Sequence, residues 1–379
     1  MDFKFTEEQE MARQSAREFA EKRLKPHAQR FDEEEAIPRE FYAEAAELGF
    51  FGVMIPEEFG GLGLDVVSYV LVMEEIARVC AAFQVCLTVH NSLVGAALVK
   101  FGTPEQKKRW LPKMAKGEWI AAYSLSEPGS GSDAGSLVCA ARKDGGHYVL
   151  DGVKSWVSSA GFADLFLVFV STDKEKRSRG VSCVVVEKGT AGLSLGNKEK
   201  KMGIRGSDTR ELHFKSCSVP AENLLGTENE GFKIALAALD GGRVGIAAQS
   251  VGIAQGAFEE AVAYAKARRQ FGKPLSDFQA TQFKLADMAM KIEAARLLTL
   301  QAAARLSKGE KATRQASMAK LFASQAANQI AYDALQIHGG NGYIREFPVE
   351  RYFRDARVTE IYEGTSEVQR IVIARDVLG

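Results

Sequence analysis

Leu125-Ser-Glu-Pro-Gly-Ser-Gly-Ser-Asp133, with Asp144-Gly145-Gly146 and Asp151-Gly152 close behind it, is the part of the chain on which the fold turns. Gly129, Gly131 and Ala134 fit a loose GxGxxA dinucleotide fingerprint. A Rossmann loop of that kind has to open a helix. Here turn chemistry arrives ten residues after Ala134, so the next element reads as a strand. Small residues still allow backbone N–H groups to approach a phosphate. On spacing alone, a phosphate loop and an ordinary surface turn both stay open.

Outward from this stretch, strand signals run from Glu118 to about residue 225. Leu165 to Val170 and Val181 to Val186 read as buried strands. Glu211 to Lys215 alternates polar and apolar, the period of a half-buried strand. Upstream the signals are helical. Thr6 with Gln9 forms a capping box, and Thr103-Pro104-Glu105-Gln106 places proline where its missing N–H costs nothing, in a helix ending near Gly117. Downstream, Ala-rich stretches at 231–268, 277–308 and 311–338 carry apolar residues three and four apart, broken at Phe271-Gly-Lys-Pro274 and Ser307-Lys-Gly309. Long helices with short connections predict a bundle. The expected fold is α+β and multidomain: an N-terminal α-helical domain over 1–117, a middle β-barrel or sandwich over 118–226, and a C-terminal four-helix bundle over 227–379. Strands do not alternate with helices, which argues against a doubly wound sheet.

Composition narrows the function. The chain has 379 residues, 46% of them hydrophobic, enough for a sizeable core. Lys plus Arg number 49 and Asp plus Glu number 49, without the basic excess expected of a nucleic-acid protein. No apolar run reaches the roughly 18 to 20 residues of a membrane span. The N-terminus lacks a basic region followed by an apolar one, so no signal peptide is expected. Cys80, Cys86, Cys139, Cys183 and Cys217 form no CxxC pair, which predicts free thiols in a reducing compartment. The five histidines show no metal-ligand spacing, so no metal is expected. The expected location is cytoplasmic, or the mitochondrial matrix for a processed organelle protein.

Two motifs carry little. Ser317-Met-Ala-Lys320 matches the SxxK of some acyl-enzymes, yet lies in an Ala-rich helix without the accompanying elements, and reads as chance. Trp156 is either a core residue or a flat ligand contact. The segment Arg357-Val-Thr-Glu-Ile-Tyr-Glu-Gly-Thr-Ser-Glu-Val-Gln-Arg370 says more. Thr365 caps a last helix running to about Val377, and Gly364 permits backbone angles closed to other residues. Glu363 therefore sits at a bend before a helix. A carboxylate there is ordinarily a solvated surface group.

At these residues the sequence resembles the acyl-CoA dehydrogenase family, and most of all its short-chain, butyryl-CoA members. The resemblance rests on LSEPGSGSD (125–133), WVSSAG (156–161), KMGIRGSDT (201–209), LDGGRVGIAAQ (239–249), RRQFGKPL (268–275), FKLADM (283–288), QIHGGNGY (336–343) and IYEGTSEVQR (361–370), in order over essentially the whole chain. It implies FAD as cofactor and a homotetramer with each flavin near a subunit interface. Leu125, Ser126 and Ser132 would contact isoalloxazine and pyrophosphate, Trp156 would lie against the ring, and Ser158 near N5. Arg268, Phe271 and Gln279 of a neighbouring subunit would hold pyrophosphate and adenosine, with Gln336 and Gly340 nearby. Thr365 and Glu367 would contact the adenine nucleotide. Family motifs often have Thr where this chain has Ser126 and Ser158, which keeps the hydroxyl. Ser132, Asp240 and Arg243 would meet the CoA moiety, and Gly364 would lie beside the catalytic base. Some members carry that base at the position of Gly242. Glycine cannot serve, so the resemblance assigns Glu363.

The implied reaction is α,β-dehydrogenation of an acyl-CoA thioester, short-chain or branched, with Glu363 removing the α-proton and electrons passing to an electron-transferring flavoprotein. A helix N-terminus favours the carboxylate by about 0.3 to 1 kcal/mol, whereas burial raises a carboxyl pKa by up to about 3 to 5 units. Desolvation should win once substrate excludes water, so Glu363 is expected to titrate well above an ordinary glutamate in the ligand complex. The rival readings are an acyl-CoA oxidase using oxygen and a non-catalytic binding or assembly protein on the same fold. Dicarboxyl-specific relatives place an Arg at the position of Gln84, so a glutaryl-type substrate is not expected. The polarity of Gln84 leaves a polar or branched acyl group open.

Overall fold

The computed structural model describes residues 4–379. Six helices open the chain: α1 (Glu7–Phe19), α2 (Ala28–Glu33), α3 (Arg39–Glu47), α4 (Val66–Thr88), α5 (Ala96–Phe101) and α6 (Pro104–Ala115). The capping boxes expected at Thr6–Gln9 and Thr103–Gln106 are both formed, each side chain satisfying the other residue's backbone N–H.

The middle of the chain supplies β1 (Ala121–Ser124), β2 (Ala140–Asp144), β3 (His147–Ser158), β4 (Leu165–Ser171), β5 (Val181–Glu187), β6 (Leu193–Leu195), β7 (Thr209–Pro220) and β8 (Leu224–Leu225). They form one sheet in the order β6-β7-β3-β2-β4-β5-β8, with β1 paired in parallel to β4. The sheet is buried on both faces at β4. Leu165, Leu167 and Phe169 pack toward α5 and α6, while Phe166, Val168 and Val170 join the core inside the curled sheet with Leu150, Val184 and Leu212. Alternation with period two sends successive side chains into two different cores, which is why the run reads as continuously apolar.

The remainder is helical: α7 (Gly231–Ala267), the short β9–β10 hairpin (Arg269–Gln270 and Lys273–Pro274), α8 (Gln279–Ser307), α9 (Thr313–His338), α10 (Val349–Arg357) and α11 (Ser366–Leu378). The N-terminal helices and the bundle share one core, from Ala16 and Phe83 through Val244 and Ile253 to Ala356. Close approach of α7 to α4 depends on small residues. A Cβ at Gly252 would meet the Ala77 side chain at 2.8 Å, and one at Gly256 would meet the Tyr352 ring at 2.8 Å. Opposite them α4 kinks at Cys80, whose backbone leaves the helical region (φ −145°, ψ 88°). The carbonyls exposed by the kink are satisfied from α10, where Tyr352 Oη donates to Arg78 O (2.7 Å) and Arg351 Nη2 donates to Val79 O (3.2 Å). A bidentate pair between Arg354 of α10 and the buried Asp32 of α2 (3.0 and 2.7 Å) ties the first and last parts of the chain together.

Candidate active site

Glu363 stands in the bend between a helical turn at Val358–Glu360 and α11. Thr365 caps α11, its hydroxyl accepting from Val368 N. Both bend residues have left-handed backbone, Glu363 at φ 50° and Gly364 at φ 93°. Glycine tolerates that conformation freely, and a glutamate does not, so the bend is held from outside. Gln369 Nε2 donates to Glu363 O (3.3 Å) and Gly364 O (2.9 Å), and Lys320 Nζ of α9 donates to Gly364 O (2.7 Å).

The bend turns the Glu363 carboxylate inward. Part of the residue meets solvent, but Oε2 is sealed off and has no hydrogen-bond partner. It faces Gly242 on α7, where an added Cβ would collide with Oε2 and come within 2.7 Å of Leu93 Cδ2. Burial drives the Glu363 carboxyl up from 4.5 to about 7 against the attraction of Lys320 and Arg243. Its sign is that expected from desolvation prevailing over local positive charge. A carboxyl balanced near neutrality, dry and unpartnered, is equipped to take a proton from a weak carbon acid.

Arg243 is 4% exposed, and its Nη1 donates to Asp240 Oδ1 (2.7 Å), while its Nε has no partner. The other Asp240 oxygen accepts from Thr313 Oγ1 (2.7 Å). Asp240, Arg243, Glu363, Gly364 and Thr365 thus share one end of the bundle. Next to them α4 and α7 enclose a dry polar plug. Gln249 Nε2 donates to Gln84 Oε1 (2.7 Å), Gln84 Nε2 donates to Thr88 Oγ1 and to Gly245 O (3.3 Å), and Tyr69 Oη donates to Thr88 Oγ1 (3.1 Å). Tyr362, the neighbour of Glu363, closes the chain by donating to Gln249 Oε1.

A second group forms on the sheet. The loop after β1 is anchored by a fully buried ion pair, Lys154 Nζ to Glu127 Oε1 (2.7 Å); Lys154 also donates to Leu125 O (3.0 Å). The Glu127 carboxylate further accepts from Val138 N (2.7 Å) and Cys139 N (3.0 Å), and Ser126 O accepts from Ser155 N (2.9 Å). Leu125 and Ser126 are therefore fixed beside the 154–158 segment of β3. There the β3–β7 register slips between Lys154 and Val157, and Trp156 adopts φ 61° and points outward, 65% exposed. A bulge of this kind re-aims one side chain. The resulting platform, an exposed indole beside a rigid loop of exposed Ser132 and part-exposed Ser126 and Ser158, fits a flat polar-edged ring system.

Arg268, Phe271, Gln279, Gln336 and Gly340 are exposed and gather at the opposite end of the bundle, around the β9–β10 hairpin. Asn341 Nδ2 donates to Tyr264 Oη there (3.0 Å). Arg243 lies on α7 and Arg268 directly follows its last residue, 25 positions on, roughly 37 Å at the helical rise. Glu367 is exposed in the first turn of α11.

Sequence reasoning missed Lys320, the plug and the left-handed angle of Glu363 itself. Lys320 had a signal: it falls on the α9 stripe of Ala316, Ala319, Ala323 and Ala327, all buried. A lysine inside an apolar stripe asks for a partner. The plug had almost none, because its members come from three separate segments, α4, α7 and the bend.

A helical layer, a curled sheet and a second helical layer, closing on one buried carboxylate at a forced bend, define a three-part α+β protein with a candidate site at the end of its bundle. Comparison with known proteins gives the particular family. Models of the acyl-CoA dehydrogenase N-terminal, middle and C-terminal domains match residues 6–118, 122–217 and 229–378. The mitochondrial short-chain specific acyl-CoA dehydrogenase of Mus musculus is 48% identical over 372 residues, 98% of this chain and 90% of that protein. The solved butyryl-CoA dehydrogenase of Megasphaera elsdenii is 43% identical, superimposes with a TM-score of 0.99, and is covered fully in both directions. A chain from a structure described as the electron transferring flavoprotein of Acidaminococcus fermentans is 46% identical, with a TM-score of 0.99 and full coverage of both chains. The chain belongs to the acyl-CoA dehydrogenase family and is an oxidoreductase of that fold. Among the described residues no helix is long and apolar enough to cross a membrane, and no cluster of His, Cys, Asp and Glu is placed to hold a metal.

Proposed function

We propose that the protein desaturates a short acyl-CoA between Cα and Cβ, with Glu363 as the base and FAD as the resident cofactor. The observation that carries this reading is the sealed, unpartnered Glu363 Oε2 with its pKa near 7. The flavin held there would supply the acceptor for the β-hydride, while the α-proton goes to Glu363. The chain's own part is to place the thioester, exclude water and hold the proton on Glu363. Leu125, Ser126, Ser132, Trp156 and Ser158 supply the near side of the flavin site. Arg268, Phe271, Gln279, Gln336 and Gly340 of a second copy supply the far side, with Thr365 and Glu367 at the nucleotide. Ser132, Asp240 and Arg243 face the CoA moiety. The backbone N–H of Glu363 polarises the thioester carbonyl, a contribution of about 3 to 4 kcal/mol by analogy with other oxyanion donors.

The plug supports a short, apolar acyl group. The Gln84 amide is fully buried and already bonded to Gln249, Thr88 and Gly245, so it needs no polar group from a substrate. No arginine stands there to pair with a second carboxylate. Opening the plug for a long chain would leave several buried polar groups unsatisfied, at about 1 to 3 kcal/mol each.

Exposed Phe271 (93%) and Tyr343 (86%) support a homo-oligomer, for which a tetramer is proposed. An electron-transferring flavoprotein is the proposed acceptor, in a cytoplasmic setting. Domain boundaries near 117 and 226 are proposed on the same basis.

The test is anaerobic flavin bleaching with butyryl-, octanoyl-, isobutyryl- and glutaryl-CoA. Butyryl-CoA should bleach fastest, and Glu363→Gln should lose at least about 10²-fold in rate. Bleaching by octanoyl- or glutaryl-CoA alone refutes the short-chain assignment. Stoichiometric peroxide under air with butyryl-CoA would instead identify an oxidase. Protein without flavin absorbance would identify the binding-protein reading.

A further inference from the structure

Lys320 is fully buried on α9, and among the described residues no carboxylate lies within ion-pairing reach of its ammonium. A buried cation without an ion pair is costly, and side chains seldom keep one for packing alone. Its hydrogen bond runs to Gly364 O (2.7 Å), the carbonyl immediately after the base. Two residues in succession, Glu363 and Gly364, have left-handed backbone at that point. Ser317, one turn earlier on α9, is buried with an unpartnered hydroxyl.

We propose that Lys320 is a positioning residue for the base: its ammonium anchors the Gly364 carbonyl, holds the 363–364 bend in its left-handed form, and supplies the positive charge against which the Glu363 carboxylate ionises. The proposal rests on Glu363 being the base. The groups facing that carboxylate are Lys320 from α9, Arg243 with its partner Asp240 from α7, Tyr69 from α4, Tyr123 from β1, and Tyr362 beside it. Lys320 also feels Glu360 and Glu367. The three tyrosines are pushed up by burial and stay neutral, so Lys320 and Glu363 are the pair that changes charge near neutrality. Burial lowers the Lys320 ammonium to about 8 although Glu363 supports its charge. Glu363 favours the ammonium of Lys320, and Lys320 favours the carboxylate of Glu363.

The experiment uses flavin-loaded full-length protein and two variants, Lys320→Met and Lys320→Arg. Two readouts are taken: the pH profile of anaerobic flavin reduction by butyryl-CoA, and hydrogen–deuterium exchange of the amides at 363–366. In the parent, rate should rise through the Glu363 pKa and fall again on the alkaline side. Lys320→Arg cannot lose its charge, so the alkaline limb should move up by more than about one pH unit. Lys320→Met should raise the acid-side pKa by about one unit and speed exchange at 363–366, with KM for butyryl-CoA changed less than about two-fold. A purely structural lysine would move neither limb in Lys320→Arg. Unchanged profiles in Lys320→Arg, together with unchanged exchange in Lys320→Met, overturn the proposal. If Lys320→Met does not fold, the alkaline limb of Lys320→Arg decides alone. A parent that no acyl-CoA bleaches removes the catalytic reading instead, and exchange at the bend then tests the anchoring by itself.

Discussion

Replacing Glu363 by glutamine should make the protein more stable at neutral pH while abolishing its activity. The folded chain raises the Glu363 carboxyl from 4.5 to about 7, because burial penalises the ionised form more than Lys320 and Arg243 favour it. The folded state therefore holds this proton more tightly than the unfolded chain does. The associated stability is fully present below about pH 4.5 and is lost as pH rises through about 7. Across that interval, at about 1.4 kcal/mol per pH unit, the loss reaches about 3 kcal/mol. Glutamine has nearly the same shape and no proton to lose. The gap in stability between Glu363→Gln and the parent should open in its favour from about pH 5 and level off above about pH 7. Matched urea unfolding at fixed protein and flavin concentration, repeated along that range, measures it. Parallel midpoints for the two proteins at every pH would refute the argument, since they would mean that Glu363 ionises as freely in the fold as in water.

Three further outcomes are expected. Gly242→Ala places a methyl group on the Glu363 carboxylate and against Leu93, so turnover with butyryl-CoA should drop about 10²-fold while flavin content, read from absorbance, stays at parent level. Trp156→Ala removes the exposed indole from its bulge and should weaken flavin retention at least about ten-fold, measured by dialysis against apoprotein, with little change in the unfolding midpoint. Asp32→Ala removes one of the two carboxylates that hold Arg354, which keeps Glu350, and should cost about 1 to 3 kcal/mol in urea unfolding; a loss below about 0.5 kcal/mol would show that the pair does not tie the ends of the chain.

Much of the fold was written locally. Thr6 with Gln9 and Thr103 with Gln106 mark two helix starts because a capping box needs only four neighbouring residues. Asp144-Gly145-Gly146 announces the β2–β3 hairpin for the same reason, and Gly145 indeed takes a left-handed angle there. What the sequence did not disclose depends on distant partners. Parallel pairing of β1 to β4 has no local mark. The kink at Cys80 follows from Arg351 and Tyr352, over 270 positions away, which receive the freed carbonyls. Trp156 stood equally for core or ligand contact until the bulge opposite Arg210 turned it outward. Family resemblance pointed to Glu363, but its burial, the glycine facing it and the lysine behind it appear only when α7, α9 and the bend are brought together.

The wide spacing along α7 between Arg243 and Arg268 carries a genetic consequence. Where each working centre borrows its parts from two copies, a defect at one end of the helix spares the other end of the same polypeptide. Chains crippled at Glu363 and chains crippled at Arg268 and Gln279, unfolded and reassembled together, should recover a fraction of intact centres that neither parent shows alone. Two null alleles of this gene would then complement each other in one cell, and the recovered activity would count how often unlike subunits meet.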